Sequence, residues 1–95
     1  MKFRGRRGAL SAEGLLAEGD RFCYGIGTDQ SFEEAFWSYQ KAAGKGNVTA
    51  MYRLGCMYES GHGTAQSFKK AYFWYDKAAV RGDRDAMAAV AFLYE

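Results

Sequence analysis

Few side chains in this 95-residue sequence are of the kinds that do chemistry, and their spacing decides what they could do. The thiols are Cys23 and Cys56, and the single imidazole is His62. Together they fall short of the four ligands that a structural zinc ion takes. A catalytic base requires positioned partners, and His62, set in a turn with no carboxylate or thiol at ligand spacing, reads as a surface histidine. Gly44-Lys45-Gly46 has the look of the end of a phosphate-binding loop. Such a loop needs glycine five residues before the Gly-Lys pair and Ser or Thr after it, and Tyr39 and Gly46 occupy those places. Gly25-Ile26-Gly27 and Gly61-His62-Gly63 lack the third glycine of a dinucleotide fingerprint and follow helices, not strands, so they read as helix stops. No nucleophile has a neighbouring base. The sequence predicts no catalytic residue, cofactor or metal.

What must position any site is a repeat. A shift of 36 residues brings Gly19 onto Gly55, Gly25 onto Gly61, Gly27 onto Gly63 and Gln30-Ser31-Phe32 onto Gln66-Ser67-Phe68. The same shift brings Tyr39 onto Tyr75, Lys41-Ala42-Ala43 onto Lys77-Ala78-Ala79 and Gly46 onto Gly82. The units run 14–49 and 50–85, with the opening of a third at 86–95. Self-similarity at a period of this size marks a solenoid, whose units bury their apolar faces by stacking. The cysteines break the pattern, since Cys23 aligns with Glu59 and Cys56 with Asp20. A secreted disulfide scaffold shows more cysteines in a regular array, so free thiols in a reducing compartment are expected.

The punctuation predicts five helices in an A-B-A-B-A order. Ser11 caps the first, which runs to about Tyr24. Ser31 opens the second with Ser31-Phe-Glu-Glu34, a capping box in which the Ser hydroxyl and the Glu carboxylate each satisfy a backbone N–H. Asn47 caps the third, which stops at Gly61. Ser67 caps the fourth with Lys70 in place of the Glu, predicting a weaker cap, and Asp83 caps the fifth. Ala50, Leu54 and Tyr58, with Met51, Gly55 and Met57 beside them, make one apolar stripe. Phe68, Ala71, Tyr72, Tyr75, Ala78 and Ala79 make the facing one. A helical glycine gives up about 1 kcal/mol against alanine, so the repeated Gly19 and Gly55 imply close helix packing that offsets the loss.

The pattern Ala50-x-x-x-Leu54-Gly55-x-x-Tyr58-x-x-Gly61-x-Gly63, then Ala71-x-x-Trp74-Tyr75-x-Lys77-Ala78-Ala79-x-x-Gly82-x-x-x-Ala86, resembles the Sel-one-like repeat, a relative of the tetratricopeptide repeat. The resemblance covers residues 14–95. It implies an all-α protein, an α/α solenoid of two and a half helical hairpins in a right-handed superhelix, with residues 1–10 as a basic tail and 11–95 as the repeat domain. The first unit departs from the pattern, with Glu18 where Leu54 stands and Ser38 where Trp74 stands. The disulfide-bearing secreted subfamily would carry cysteine where this chain has Ala43, Ala79 and Met51. A hydrolase of the β-lactam or peptidoglycan type is therefore the least supported reading.

The resemblance implies a non-catalytic scaffold that binds a protein or peptide on the concave surface of its A helices. Helical phase and the 36-residue shift place Leu16, Ala17, Asp20 and Cys23, then Tyr52, Arg53, Cys56 and Glu59, then Ala88, Ala89, Phe92 and Glu95 along that wall. Trp37 and Phe73, one repeat apart at an outward phase of the B helices, form a possible second surface. The runner-up reading is a structural or regulatory segment of a larger repeat protein with no separate ligand. The unpaired last helix leaves its stripe (Ala86, Val90, Tyr94) without a covering partner, which points to a cap, a continuing chain or self-association.

Charge and composition add bounds. The net charge of +2 hides an uneven distribution, with Lys2, Arg4, Arg6 and Arg7 at the start and a slightly acidic body. Such a tail can touch nucleic acid or anionic lipid, although chain ends are commonly frayed and solvated. No apolar run approaches the roughly 18 residues of a membrane span, and no apolar stretch follows the basic start as it does in a secretory signal, so the cytoplasm is the expected location.

Overall fold

A computed structural model describes residues 10–93, and these described residues form five α-helices. They are α1 (Ala12–Tyr24), α2 (Phe32–Gly44), α3 (Val48–Ser60), α4 (Phe68–Val80) and α5 (Arg84–Leu93). Among the described residues there is no strand, and no helix is long and apolar enough to cross a membrane. The expectations for the basic tail (Lys2, Arg4, Arg6, Arg7) and for Tyr94 and Glu95 fall outside the described residues. Each helix packs on the next in chain order, most extensively within the hairpins α1–α2 and α3–α4. The result is an elongated α/α solenoid, 43 × 23 × 19 Å.

Local chemistry sets the helix ends. The side chains of Ser11, Asn47 and Asp83 accept hydrogen bonds from the N–H groups of Gly14, Ala50 and Ala86 at 3.0, 2.8 and 2.8 Å. Each such cap is worth about 1 kcal/mol. α1 and α3 end on Gly25 and Gly61, whose φ of 67° and 79° is the left-handed conformation that closes a helix. The capping-box expectation needs revision. The Ser31 hydroxyl does accept from Glu34 N–H, but the Ser31 N–H donates to the carbonyl of Phe22 on the preceding helix. Ser67 repeats this, accepting from Lys70 N–H while its own N–H donates to Tyr58. The hairpin supplies the partner that a capping-box acid would have supplied, so the Ser67 cap loses nothing by having Lys70 at that place.

The core is built from small residues around two large ones. Ala35, Ala42, Ala50, Ala71, Ala78 and Ala86 are fully buried, as are Leu15 and Leu54, and Tyr39 and Tyr75 lie buried among them. Leu15, one repeat before the buried Met51, supplies the apolar bulk of α1 that Glu18 does not. Two expectations fail. Phe68 is exposed, whereas its counterpart Phe32 is covered by the stacked ring of His62 from the following unit. Ala86 is not left open on α5 but is buried against α4, so the uncovered part of α5 lies elsewhere, at Met87 and Phe92.

The close approach predicted from Gly19 and Gly55 is a ring seat. A Cβ added to Gly19 would stand 2.5 Å from Cε1 of Tyr39, and one added to Gly55 would stand 2.5 Å from Cε1 of Tyr75. Each ring therefore rests on bare helix backbone. The hydroxyl at its far edge then reaches a carboxylate on the same A helix, Asp20 at 2.5 Å for Tyr39 and Glu59 at 2.6 Å for Tyr75. Gly63 has a role beyond stopping α3. Its φ is 77°, and a Cβ there would meet the Phe32 carbonyl oxygen at 2.5 Å, so the turn lies directly on the start of α2.

Two outcomes follow for stability. Gly55→Ala is expected to lower Tm by about 4–8 °C or more, because overpacking against ring carbons costs about 1–3 kcal/mol and exceeds the gain in helix propensity. Gly44→Ala, with open space around the added methyl, should leave Tm unchanged or raised. A thermal melt in which Gly55→Ala matches wild type would remove the ring seat from the account. The second outcome concerns alkali. Burial first, and then the carboxylate hydrogen bond, hold both the Tyr39 and Tyr75 hydroxyls well above their ordinary value of 10. A folded pKa above the unfolded one gives stability that is complete below about pH 10 and is lost as pH rises past it. Denaturant midpoints should therefore fall between about pH 9.5 and 11.5, with a shallower fall in Tyr39→Phe.

Candidate functional site

Because the A helices α1, α3 and α5 lie side by side in the stack, their shared face carries two adjoining cavities. One, of about 490 Å³, brings Cys23 of α1 together with Tyr52, Arg53 and Cys56 of α3. The other, of about 590 Å³, brings Tyr52, Cys56 and Glu59 of α3 together with Ala88, Ala89 and Phe92 of α5. Tyr52, Cys56 and Ser60 line both and form the ridge between them. Of the other expected wall residues, Leu16 packs onto the core, Ala17 is exposed outside the cavities, and Asp20 is half-buried and held by its partners. Glu95 is not among the described residues.

The polar groups of this face form a linked set. Asp20 receives the Tyr39 hydroxyl and also the guanidinium of Arg53, whose Nε lies 2.9 Å from Oδ1 and whose second nitrogen lies 3.4 Å from Oδ2. That ion pair joins α1 of the first unit to α3 of the second. It pushes the Arg53 guanidinium further up, the hydrogen bond being the main cause. The thiols have a regularity that the sequence hid. Tyr39 bonds to Asp20 with Cys23 among its electrostatic neighbours, whereas Tyr75 bonds to Glu59 with Cys56 among its own. Asp20 is one repeat before Cys56, and Cys23 is one repeat before Glu59. Acid and thiol have exchanged places on the helix while serving the same tyrosine.

These surroundings do not favour nucleophilic chemistry. Burial is the largest influence on Cys23 and pushes its thiol up, away from the thiolate that would attack or bind metal. Both cysteines are free, and among the described residues no group of three His, Cys, Asp or Glu could hold a metal ion. Tyr52 is pushed up to about 12, first by hydrogen bonding to Cys56 and then by burial, with Asp85 and Asp83 adding a negative field.

Several residues of the face carried no functional reading in the sequence. His62 stacks on Phe32, with ring centroids 4.2 Å apart and 3° between planes, and both border the first cavity with Tyr24. Asp85 borders the second. Gln30 and Gln66 donate to the carbonyls of Cys23 and Glu59, each at 2.8 Å, tying the loops to the ends of α1 and α3. The signal was present, because a polar loop residue that recurs at the repeat period has a repeated job. The second surface divides. Trp37 is half-buried against the core with Lys41 over its ring at 5.6 Å, so its expected exposure is not found. Phe73 is exposed, with Lys77 over its ring at 5.6 Å and Trp74 against its edge.

Comparison with known proteins agrees with this geometry. No match was found among curated protein sequences. A Sel1 repeat protein from Oxalobacter formigenes superimposes with a TM-score of 0.82 at 31% identity, over 84% of this chain and 60% of that one. Cysteine rich protein B (HcpB) of Helicobacter pylori gives 0.78 at 26% identity, over 82% and 59%. The c5321 antigen of uropathogenic Escherichia coli, which displays the same fold, gives 0.88 at 29% identity, over 98% and 20%. The chain thus spans about three-fifths of the length of the first two structures and one-fifth of the third. The sequence model of the Sel1 repeat matches twice in succession, at residues 11–47 and 48–83. With two consecutive matches, and the solenoid that they imply, the chain belongs to the Sel1 repeat family.

Proposed function

We propose that the chain is a non-catalytic interaction module that holds an extended protein or peptide segment across the face of α1, α3 and α5. Sel1 repeats generally mediate protein–protein interaction and act as non-catalytic scaffolds. The observation that carries the reading here is the pair of adjoining cavities that share the ridge of Tyr52, Cys56 and Ser60. Neighbouring side-chain pockets beside one ridge suit a chain that puts successive side chains into each. Tyr52 is half-buried against Tyr75, 5.6 Å between ring centroids, so it offers a rigid amphipathic surface of the type enriched at binding hot spots. Phe73, on the opposite helix layer, borders neither of these two cavities.

Selection of random peptides displayed on phage, followed by titration of the selected peptides, tests this. Tyr52→Ala should weaken binding by about tenfold or more, the scale of a hot-spot truncation, while Phe73→Ala changes it by less than about twofold, with melts confirming that both variants fold. The opposite ranking would move the binding surface to the B helices. Selection of no peptide at all would favour the structural-segment reading.

A further inference from the structure

The two tyrosine–carboxylate pairs differ in one respect. In the first unit, Asp20 receives the Tyr39 hydroxyl and is neutralised by the fork of Arg53, which reaches it from the next A helix. In the second unit, Glu59 receives the Tyr75 hydroxyl, but the residue one repeat after Arg53 is Ala89. Among the described residues the ion pairs are Arg21–Glu18 and Arg53–Asp20, and neither Glu59 nor Asp85 has a cationic partner. By the repeat, an arginine at position 89 would extend toward Cys56, three residues before Glu59 on α3, and there lies the cavity of about 590 Å³ bordered by Cys56, Glu59 and Ala89. Its walls carry the two carboxylates, Glu59 and Asp85, and the rings of Tyr52, Tyr75 and Phe92. Asp85 and Asp83 already impose a negative field on Tyr52.

We infer that this cavity accepts an arginine side chain of the bound partner, whose guanidinium pairs with Glu59 as Arg53 pairs with Asp20. A planar guanidinium suits the site better than an ammonium. It can share a carboxylate through two parallel N–H donors and lie over an aromatic face at the same time. Asp85, in the first turn of α5, supplies a second acceptor at the mouth, and the largely exposed ring of Phe92 offers a lid for the aliphatic stem. The charge relation on this face is thus divided: the first cavity has its arginine built in, and the second takes one from outside. The inference rests on the reading of this face as a peptide-binding surface, and it names the side chain that the surface selects.

The test uses the whole chain and three small probes, N-acetyl-arginine methylamide, its neutral isostere N-acetyl-citrulline methylamide, and N-acetyl-glutamate methylamide, titrated while NMR resonances are followed. The arginine amide is expected to shift Tyr52, Glu59, Asp85 and Phe92, with citrulline about tenfold weaker or worse and glutamate inert, as loss of a charge-assisted hydrogen bond requires. Glu59→Gln combined with Asp85→Asn, checked for folding by circular dichroism, should reduce the arginine response by about tenfold. Ala89→Arg should place an internal guanidinium in the cavity, abolish the response and raise Tm. Equal binding of arginine and citrulline, shifts confined to the cavity of Cys23 and Arg53, or an Ala89→Arg chain that still takes the probe would each overturn the inference. Phage-selected peptides that bind through Tyr52 but contain no arginine would overturn it too, while leaving the peptide-binding reading intact.

Discussion

A tyrosine ring lying flat on the bare backbone of a helical glycine is the contact on which the rest of this structure depends. It sets how near α2 comes to α1 and α4 to α3, because no side chain stands between ring and helix. That nearness explains the alanine-rich core, since Ala35, Ala42, Ala71 and Ala78 fit a gap too narrow for larger residues. It also delivers a hydroxyl to the far side of the A helix, where a buried donor without a partner would be costly. A carboxylate on the A helix is the remedy in both units, and so the polar character of the A-helix face begins in the packing of the core.

The coupling between units is correspondingly local. A solenoid has no central core through which distant units communicate, so each junction must hold by its own contacts. Several cross the junction between the first and second units, among them the edge-to-face contact of Phe36 with Tyr58. Arg53 reaches back to Asp20, His62 stacks on Phe32, and the backbone at Gly63 presses on the start of α2. The ion pair is about 30% exposed at each side chain, so its worth lies in orienting α3 against α1 more than in net stabilisation. The two cavities are what remains between A helices held at this spacing and angle.

Much of the fold could be read in the sequence because its signals are local and repeated. Ser11, Asn47 and Asp83 are caps by chemistry, Gly25 and Gly61 are stops by conformation, and each recurs or is echoed at the same period. What could not be read depends on which helix lies opposite. The donor to Phe22 that makes the capping-box acid dispensable, the exposure of Phe68 in the first turn of α4, and the burial of Ala86 and Trp37 are decided by neighbours in space. The candidate site lies between these cases. Helical phase brought Tyr52, Arg53, Cys56 and Glu59 to one face, but it could not reveal that Asp20 is occupied by Arg53. Nor could it place His62 or Asp85 at the cavities, since both enter from turns or helix starts with a phase of their own. The exchanged acid and thiol escaped notice for a different reason. Alignment compares a position with its counterpart, whereas the tyrosine hydroxyl reaches residues three apart on the helix and accepts either order.

The glycine seat has a further consequence at α5. One repeat after Gly55 stands Ala91, whose methyl occupies the surface on which a ring would rest. A helix bearing a tyrosine in the manner of α2 or α4 cannot settle on α5 at the same distance, because the ring carbons and the methyl would contend for one volume. Whatever packs there does so across an extra layer of carbon or presents a smaller residue. The outer face of α5 is therefore not a blank copy of the junctions before it. Its lock has been recut by one methyl group, and the unit that precedes it would not serve as its key.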